Sequence, residues 1–378
     1  MRIARVFRLS MAHPGDLSEL DDLVAAGTIN AAEVAAIIGK TEGNGGVNDF
    51  TRGYFTQTLM ALLSKHLERP ASQLIHEIPC VLSGGTEGVM SPHYNLFCIG
   101  ESETPVRSAK SPAKSSAKSL AIGTAFSPPV PVEQIGRRAH VESVAATVRR
   151  AINAAAIEHR EDVHVVQVKC PCVTVVRAAA AMAAGKMPLT TDPNRSMALA
   201  RAAGAFGAAL GLGEIGPDDF TDASLLADFT LQSPRASISS GIEVERNEVI
   251  VLGNSGAWTG PLGIAHRPMT DALDIGGIVD VLADLGIAAT PQVSAADASR
   301  IAAVLVKCEP DRRGRIRGHR HTMLDDTDIN AQRHIRGAVA GLVAGVIGDG
   351  RLFVSGGAEH QGPDGGGLIA VIAAQEAT

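Results

Sequence analysis

One short pattern of polar residues occurs three times along the chain, always in the same order. In each copy a lysine ends an apolar run, an arginine lies in a helix-like run, and a serine-glycine pair ends a strand-like run. The copies are Lys40, Arg52 and Ser83-Gly84; Lys169, Arg201 and Ser240-Gly241; and Lys307, Arg336 and Ser355-Gly356. Their spacing of roughly 130 residues is typical of domains rather than of a solenoid. The pattern predicts three similar units that share one polar site.

Strand-like and helix-like patterns alternate within each copy, which favours an α/β fold. We predict three structurally similar α/β repeat units in a pseudo-threefold arrangement around one central active site. Unit A covers residues 1–103, unit B residues 120–253 and unit C residues 254–378. Residues 104–119 are rich in Ser, Lys and Pro and cannot bury enough apolar surface to order themselves, so we predict a flexible linker there.

Composition excludes several classes of protein. Hydrophobic residues make up 45% of the 378 residues, enough for a large core. The net charge of −6 comes from interspersed acidic and basic residues, so no nucleic-acid partner is expected. The longest weakly polar stretch, 337–348, is too short to cross a membrane. The 5 cysteines are odd in number and lie in apolar stretches, which predicts buried thiols in a reducing, cytoplasmic compartment.

The repeated residue types suit nucleophilic attack on a carbonyl group. A serine hydroxyl is a poor nucleophile at its normal pKa and needs a base. A lysine removed from water can lose its proton and act as that base. A glycine beside the serine lets backbone N–H groups approach a carbonyl oxygen, as in an oxyanion hole. Arginine, which is always charged, suits the binding of further oxygens.

One asymmetry among the copies indicates which pair reacts. A glutamate stands two residues after Lys40 and after Lys307, whereas Pro171 stands two residues after Lys169. If the strands continue, each glutamate shares a face with its lysine and keeps the amine protonated. Lys169 is then the lysine most easily made neutral, and Ser240 is its predicted nucleophile. The other two sets, with Lys40 and Lys307, are predicted to bind and polarise the substrate.

Four long motifs resemble the cyanuric acid hydrolase and barbiturase family of cyclic amide hydrolases. They are Gly39–Gly53, Leu82–His93, His321–Asn330 and Val354–Gly367. The resemblance spans essentially the whole chain and implies three units around one site, with ring opening by Ser240 and Lys169. It implies that the substrate is held by Arg52, Ser83, Gly84, Arg201, Gly241, Arg336, Ser355 and Gly356. Arg333 competes with Arg336, which we prefer because Arg336-Gly337 matches Arg52-Gly53.

The resemblance also implies a substrate class. We expect hydrolysis of a small cyclic imide, first of all cyanuric acid to carboxybiuret, which then loses CO2 to give biuret. A ring with three equivalent carbonyls matches three equivalent binding sets. The alternative is a barbiturase, which converts barbiturate to ureidomalonate, and a different class is a non-catalytic binder of a planar metabolite. No cofactor is expected for catalysis.

A structural metal and a homotetramer are further implications of the resemblance. The metal candidates are Glu309, Ala358, Gln361, Gly362, Pro363 and Gly366. A carboxylate with backbone carbonyls is an oxygen-rich set that suits Mg²⁺ or Ca²⁺. The alternative is a glycine-rich loop that holds no ion.

Overall fold

A computed structural model describes residues 1–103 and 118–375. Unit A contains four strands and three helices. In chain order these are β1 (Arg2–Ser10), α1 (Ser18–Ala25), β2 (Val34–Thr41), α2 (Phe50–Leu67), α3 (Ala71–Leu74), β3 (Cys80–Gly84) and β4 (His93–Glu101).

Unit B has the same order of strands. Its elements are β5 (Ser119–Pro129), α4 (Arg138–Ala154), β6 (Val163–Pro171), α5 (Val175–Ala183), α6 (Pro193–Leu212), β7 (Ala236–Gly241) and β8 (Arg246–Ser255). Ser119 already belongs to β5, and Lys118 forms an ion pair with Asp162 at 2.6 Å. The predicted linker therefore ends earlier than residue 119, and its remainder, 104–117, lies outside the described residues.

Unit C repeats the order again, with one short hairpin added. A two-residue strand, β9 (Trp258–Thr259), comes before the first strand of this unit's sheet. The unit itself contains β10 (Leu262–Met269), α7 (Ile275–Ala283), α8 (Ala295–Ala298), β11 (Ile301–Cys308), β12 (Arg315–Ile316), β13 (His319–Arg320), α9 (Ala331–Ile347), β14 (Phe353–Ser355) and β15 (Gly367–Ala374).

The three main sheets share one topology, which confirms the predicted repeat. The orders are β3-β2-β4-β1, β7-β6-β8-β5 and β14-β11-β15-β10, so the serine strand is always next to the lysine strand. These two strands run parallel in every unit. Parallel neighbours need a crossover connection, here through the helix that carries the repeated arginine. Their carboxyl ends therefore lie together, with the lysine and the serine at the same edge.

Each sheet is buried on both faces, and in units A and C the two faces pack into different cores. In unit A, Ala36 and Ile38 belong to a core shared by all three units, whereas Ile37 packs into a core of unit A alone. In unit C, Leu305 lies in the shared core and Val304 in a core of unit C. Alternate residues of a strand face opposite sides. Lys40 of β2 therefore lies on the same face as Ala36 and Ile38, and it points toward the centre of the molecule.

Equivalent polar caps fix the start of the three arginine-bearing helices. The Asp49 side chain accepts the Thr51 N–H at the start of α2, and Asp192 accepts the Asn194 N–H at the start of α6. Asn330 does the same for α9. Such caps satisfy backbone donors that the first helical turn leaves free. The caps thereby fix where the arginine-bearing helices begin, with Arg52 in the first turn of α2 and Arg201 near the middle of α6.

Two further predictions can be compared with the structure. All 5 cysteines are unpaired and buried, as the apolar stretches around them predicted. Within residues 1–103 and 118–375, no helix has both the length and the apolar character needed to cross a membrane.

Candidate active site

The repeated lysines and serines meet in register at the ends of their strands. Lys40 is opposite Ser83 in unit A, and Lys307 is opposite Ser355 in unit C. The Lys40 ammonium donates to Ser83 Oγ at 3.2 Å, and the Lys307 ammonium donates to Ser355 Oγ at 3.1 Å. Both lysines also donate to the carbonyl of the following glycine. Two of the three predicted lysine–serine pairs are therefore formed in the structure.

Unit B differs from the predicted pairing by one residue. Lys169 is opposite Ser239, and Ser240 is opposite Cys170. The segments LSGGTE, ISSGIE and VSGGAE show the same alignment, because each places a glutamate four residues after the serine. Ser239 is thus the equivalent of Ser83 and Ser355, and Ser240 stands where the other units have glycine. This corrects the alignment of unit B that the serine-glycine pair suggested, since register is set by backbone pairing rather than by residue type.

A cleft at the centre of the molecule brings most of the predicted residues together. Its empty space measures about 310 Å³, counted with its open mouth. The predicted residues that line it are Arg52, Ser83, Gly84, Lys169, Arg201, Ser240, Arg336, Ser355 and Gly356. Ser239, Gly45, Leu82 and Met197 complete the lining. Three predicted residues do not line the cleft. Lys40 and Lys307 are buried behind the serines, and Gly241 comes directly after the lining residue Ser240.

The two serines of unit B have different surroundings. Ser240 Oγ donates to the Met197 carbonyl at 3.0 Å, and Arg201 Nη1 approaches it at 3.4 Å. Ser239 Oγ is buried and has no hydrogen-bond partner among the described residues. A buried hydroxyl without a partner is unusual and costs free energy unless a ligand or water satisfies it. Ser239 therefore carries the hydroxyl that is free to act in this cleft.

Lys169 has a carboxylate partner, contrary to the argument from neighbouring residues. Its ammonium lies 2.6 Å from Glu243 Oε1 and donates to the Leu82 carbonyl at 3.0 Å. Burial lowers the pKa of Lys169, while the Glu243 carboxylate opposes that shift. The same contact with Lys169, together with Arg52, lowers the pKa of Glu243 to about 2 despite its burial.

The other two lysines have no such contact from the glutamates next to them in sequence. Strand β2 ends at Thr41, so Glu42 is exposed rather than on the face of Lys40. Glu309 accepts hydrogen bonds from Gln332 and from a backbone N–H instead. Burial lowers the pKa of Lys40 well below its usual value, and burial with the Arg201 charge lowers the pKa of Lys307 to about 7. Burial thus lowers the pKa of all three lysines, and these shifts do not single out Lys169 as the least protonated.

Each repeated arginine binds a glutamate of another unit. Nε of Arg52 donates to Glu243 at 2.7 Å, which joins unit A to unit B. Nε of Arg201 donates to Glu359 at 2.7 Å, and Nε of Arg336 donates to Glu87 at 2.8 Å. The three ion pairs join A to B, B to C and C to A, and so form a closed ring around the cleft.

Sequence reasoning missed these glutamates, although a signal was present. Glu87, Glu243 and Glu359 each stand four residues after the register-matched serine. The ring also separates the two candidates for the third arginine. Arg336 is buried and lines the cleft, whereas the Arg333 side chain is 50% exposed and reaches Glu87 from outside at 3.1 Å.

Among the predicted metal residues, Glu309 supplies the one carboxylate, and it is buried. Glu309 Oε1 accepts from Gln332 Nε2 at 2.9 Å, and Oε2 accepts the Ala358 N–H at 2.7 Å. Burial, with the nearby Glu359 carboxylate, raises the pKa of Glu309 to about 7. The Gln361 amide is already engaged with backbone groups. No group of three or more His, Cys, Asp or Glu side chains suited to a metal occurs in the described part of the chain, so an ion here would depend on backbone carbonyls. A buried carboxylate beside a loop of backbone carbonyls is a donor set that fits a hard cation.

Comparison with known proteins places this geometry in context. A family model described as amidohydrolase ring-opening protein matches residues 5–374. The cyanuric acid amidohydrolase of Azorhizobium caulinodans is 49% identical over 375 residues, which cover 99% of each chain. The cyanuric acid amidohydrolase of Bradyrhizobium sp. (strain ORS 375) is 46% identical over 372 residues, 98% of each chain.

Two solved structures share the fold over nearly the whole chain. One is a cyanuric acid hydrolase described as an evolutionary innovation by structural concatenation. It has a TM-score of 0.92 at 43% identity and covers 99% of this chain and 100% of its own. The enzyme from A. caulinodans has a TM-score of 0.89 at 49% identity, with 99% of each chain covered. These matches confirm the predicted α/β fold of three concatenated units.

Proposed function

The chain belongs to the ring-opening amidohydrolase family and is a hydrolase of cyclic amide C–N bonds, and we propose that its substrate is cyanuric acid. One observation carries the proposal: three equivalent serines and three equivalent arginines surround one small cleft. Cyanuric acid has three equivalent carbonyls, so each set can face one of them. The name of the relatives described above points to the same substrate.

We assign the nucleophile to Ser239 and the base to Lys169. Ser239 is supported by its register with Lys169 and by its unpartnered hydroxyl. Lys169 is supported by access, since it lines the cleft whereas Lys40 and Lys307 do not. Ser240, the serine predicted from the sequence, is the competing assignment, but its hydroxyl is committed to the Met197 carbonyl.

The reaction then follows two steps. Ser239 Oγ attacks a ring carbonyl while Lys169 takes the hydroxyl proton and returns it to the leaving ring nitrogen, which opens the ring. Water next attacks the acyl-serine, releases carboxybiuret and restores the hydroxyl; carboxybiuret loses CO2 to give biuret. Charged donors stabilise the oxyanion of each step most strongly in a water-poor cleft. Arg52, Arg201 and Arg336 line the cleft and supply such donors.

Incubation of the purified protein with cyanurate and, separately, with barbiturate tests the substrate. We expect loss of cyanurate ring absorbance and formation of biuret. Lys169→Ala should abolish turnover with folding intact. Consumption of barbiturate in preference to cyanurate would identify a barbiturase, which no observation here favours. Stabilisation by cyanurate without turnover would identify a binding protein instead.

We also propose a structural Mg²⁺ or Ca²⁺ in unit C. The buried Glu309 carboxylate would hold it, together with backbone carbonyls of the loop that contains Ala358, Gln361, Gly362, Pro363 and Gly366. The support is the position of the Glu309 carboxylate, which is buried beside this loop; burial first, and the Glu359 carboxylate second, raise the pKa of Glu309, and a cation would oppose both effects. The ion would stabilise the loop and would take no part in the reaction.

A further inference from the structure

The third strand of each sheet places one residue directly opposite the repeated lysine. That residue is His93 in unit A, Glu248 in unit B and Leu368 in unit C. Residues opposite each other in an antiparallel pair project from the same face, with Cβ atoms about 4.5–5.5 Å apart. Among the three units, B alone therefore places a carboxyl group directly opposite its lysine, Lys169, on the neighbouring strand.

Glu248 is buried, and charged or titratable groups surround it on several elements. One of its oxygens accepts the Cys80 N–H from unit A at 2.9 Å. Burial, with the Glu243 carboxylate, raises the pKa of Glu248 to about 8, while Lys169 acts in the opposite direction. The titratable or charged groups that face this region are Cys80, Lys169, Glu243 and Arg246, with Arg52 bound to Glu243 and with His76 and Glu245 farther out.

A side cavity lies between unit A and unit B, behind Lys169. Its empty space is about 900 Å³, counted in the same way as that of the cleft. Glu243 and Glu248 both line it, and so do the exposed His76 and Glu245 at its outer end. No serine or arginine of the central cleft lines this cavity. The pair Lys169–Glu243 therefore separates the substrate cleft from a second, solvent-connected space.

Cyclic amide hydrolysis at neutral pH releases one proton per turnover. The C–N bond and one water become a carboxylate, an N–H group and H⁺. With Lys169 as the base, the proton taken from the attacking water stays on its ammonium once Ser239 has regained its own hydrogen. Lys169 must lose that proton before the next turnover. The side chain of Lys169 is only 1% exposed and already contacts the Glu243 carboxylate, which offers the proton a path other than the substrate cleft.

We propose that the proton leaves Lys169 for Glu248, by way of Glu243 or a water molecule between them. Glu248 then passes the proton to water in the side cavity. Glu248 touches no substrate atom and acts through Lys169, so it is a positioning residue. The proton moves from the Lys169 ammonium to these carboxylates and then to water in the cavity, and no other reactant is needed. The inference depends on the proposed hydrolysis, and it explains why Glu248 has no acidic equivalent opposite Lys40 or Lys307.

The test compares Glu248→Gln with the wild type, using the full chain and cyanurate. Glutamine keeps an acceptor for the Cys80 N–H but cannot carry a proton. We expect kcat to fall about ten-fold or more, a loss typical of a missing proton-transfer group, while KM changes little. The acid limb of the kcat profile, where protonation of the accepting carboxyl group stops the relay, should also change. Imidazole added to the assay should restore kcat in a saturable manner, because it can enter the cavity and accept the proton.

Two control variants make the result specific. Glu245→Gln changes an exposed carboxylate of the same cavity and should leave kcat and its dependence on imidazole as in the wild type. Glu248→Asp keeps a carboxyl group and should retain more activity than Glu248→Gln; it also serves as the test variant if Glu248→Gln fails to fold.

The outcomes distinguish this inference from the proposed function. A wild-type protein that leaves cyanurate intact refutes the function, and the relay with it. An active wild type with an equally active Glu248→Gln refutes the relay alone. A slow Glu248→Gln that keeps the wild-type pH profile and ignores imidazole also refutes it, since that behaviour indicates a merely structural residue.

Discussion

The closed ring of arginine–glutamate pairs makes a strong prediction at the boundary between units C and A. Glu87 accepts from Arg336 Nε at 2.8 Å and from Nη2 at 2.6 Å, and the two side chains are only 13% and 6% exposed. Glu87→Gln would keep the shape and one acceptor but would leave the Arg336 charge buried without its counter-ion. Removal of one partner of a buried pair costs about 3–5 kcal/mol. We expect about 3 kcal/mol here, because the amide oxygen still accepts one hydrogen bond.

Denaturant unfolding and steady-state kinetics check this value. The matched control is Glu77→Gln, which breaks a pair with Arg69 in which both side chains are more than 40% exposed. Such surface pairs contribute about 0–1 kcal/mol. Glu87→Gln should also lower kcat/KM roughly ten-fold, since Arg336 would no longer be held toward the cleft. Equal losses of stability in the two variants would refute the conclusion that the ring is a buried electrostatic network.

Three further predictions concern the cleft and the metal region. Ser239→Ala should abolish kcat with folding intact, whereas Ser240→Ala should retain measurable turnover; the reverse result in single-turnover assays would return the nucleophile to Ser240. Arg336→Ala should lower kcat/KM by roughly ten- to a few hundred-fold, because a charged hydrogen bond is lost. Arg333→Ala should change kcat/KM little, and equal effects of the two variants would contradict the conclusion that Arg336 lines the cleft. Chelation should lower thermal stability more than it lowers kcat at saturating substrate, because an ion at Glu309 stabilises the folded state that binds it. Elemental analysis and calorimetry check this, and a metal-free sample of full stability would contradict the proposal of a bound ion.

The sequence was sufficient to predict the fold and the place of the site. Each repeated lysine lies within two residues of the end of a buried strand, as the apolar runs predicted. Burial on both faces makes such runs continuous and easy to recognise. The order of elements around each run then led to three equivalent units.

Contacts between units were harder to predict. The partner of Arg52 is Glu243, 191 residues away; the glutamate that recurs four residues after each serine marks the carboxylate but not which arginine it binds. The argument from residues next to Lys169 failed because its carboxylate partner is also distant in sequence. Glu243 reaches Lys169 from a loop farther along the same unit. The choice between Ser239 and Ser240 depended on backbone register, which a run of two serines and a glycine leaves open by one residue.

The ring of ion pairs also sets the order in which the molecule can be completed during synthesis. Domains generally fold as units from the N-terminus while the chain is being made. A ribosome-bound chain that ends after unit B can close only the A–B pair, Arg52 with Glu243. Arg201 and Glu87 must wait for partners that unit C supplies. A nascent or truncated two-unit product therefore leaves these two charges without their counter-ions, and the cleft gains its full set of donors only when the last unit is in place.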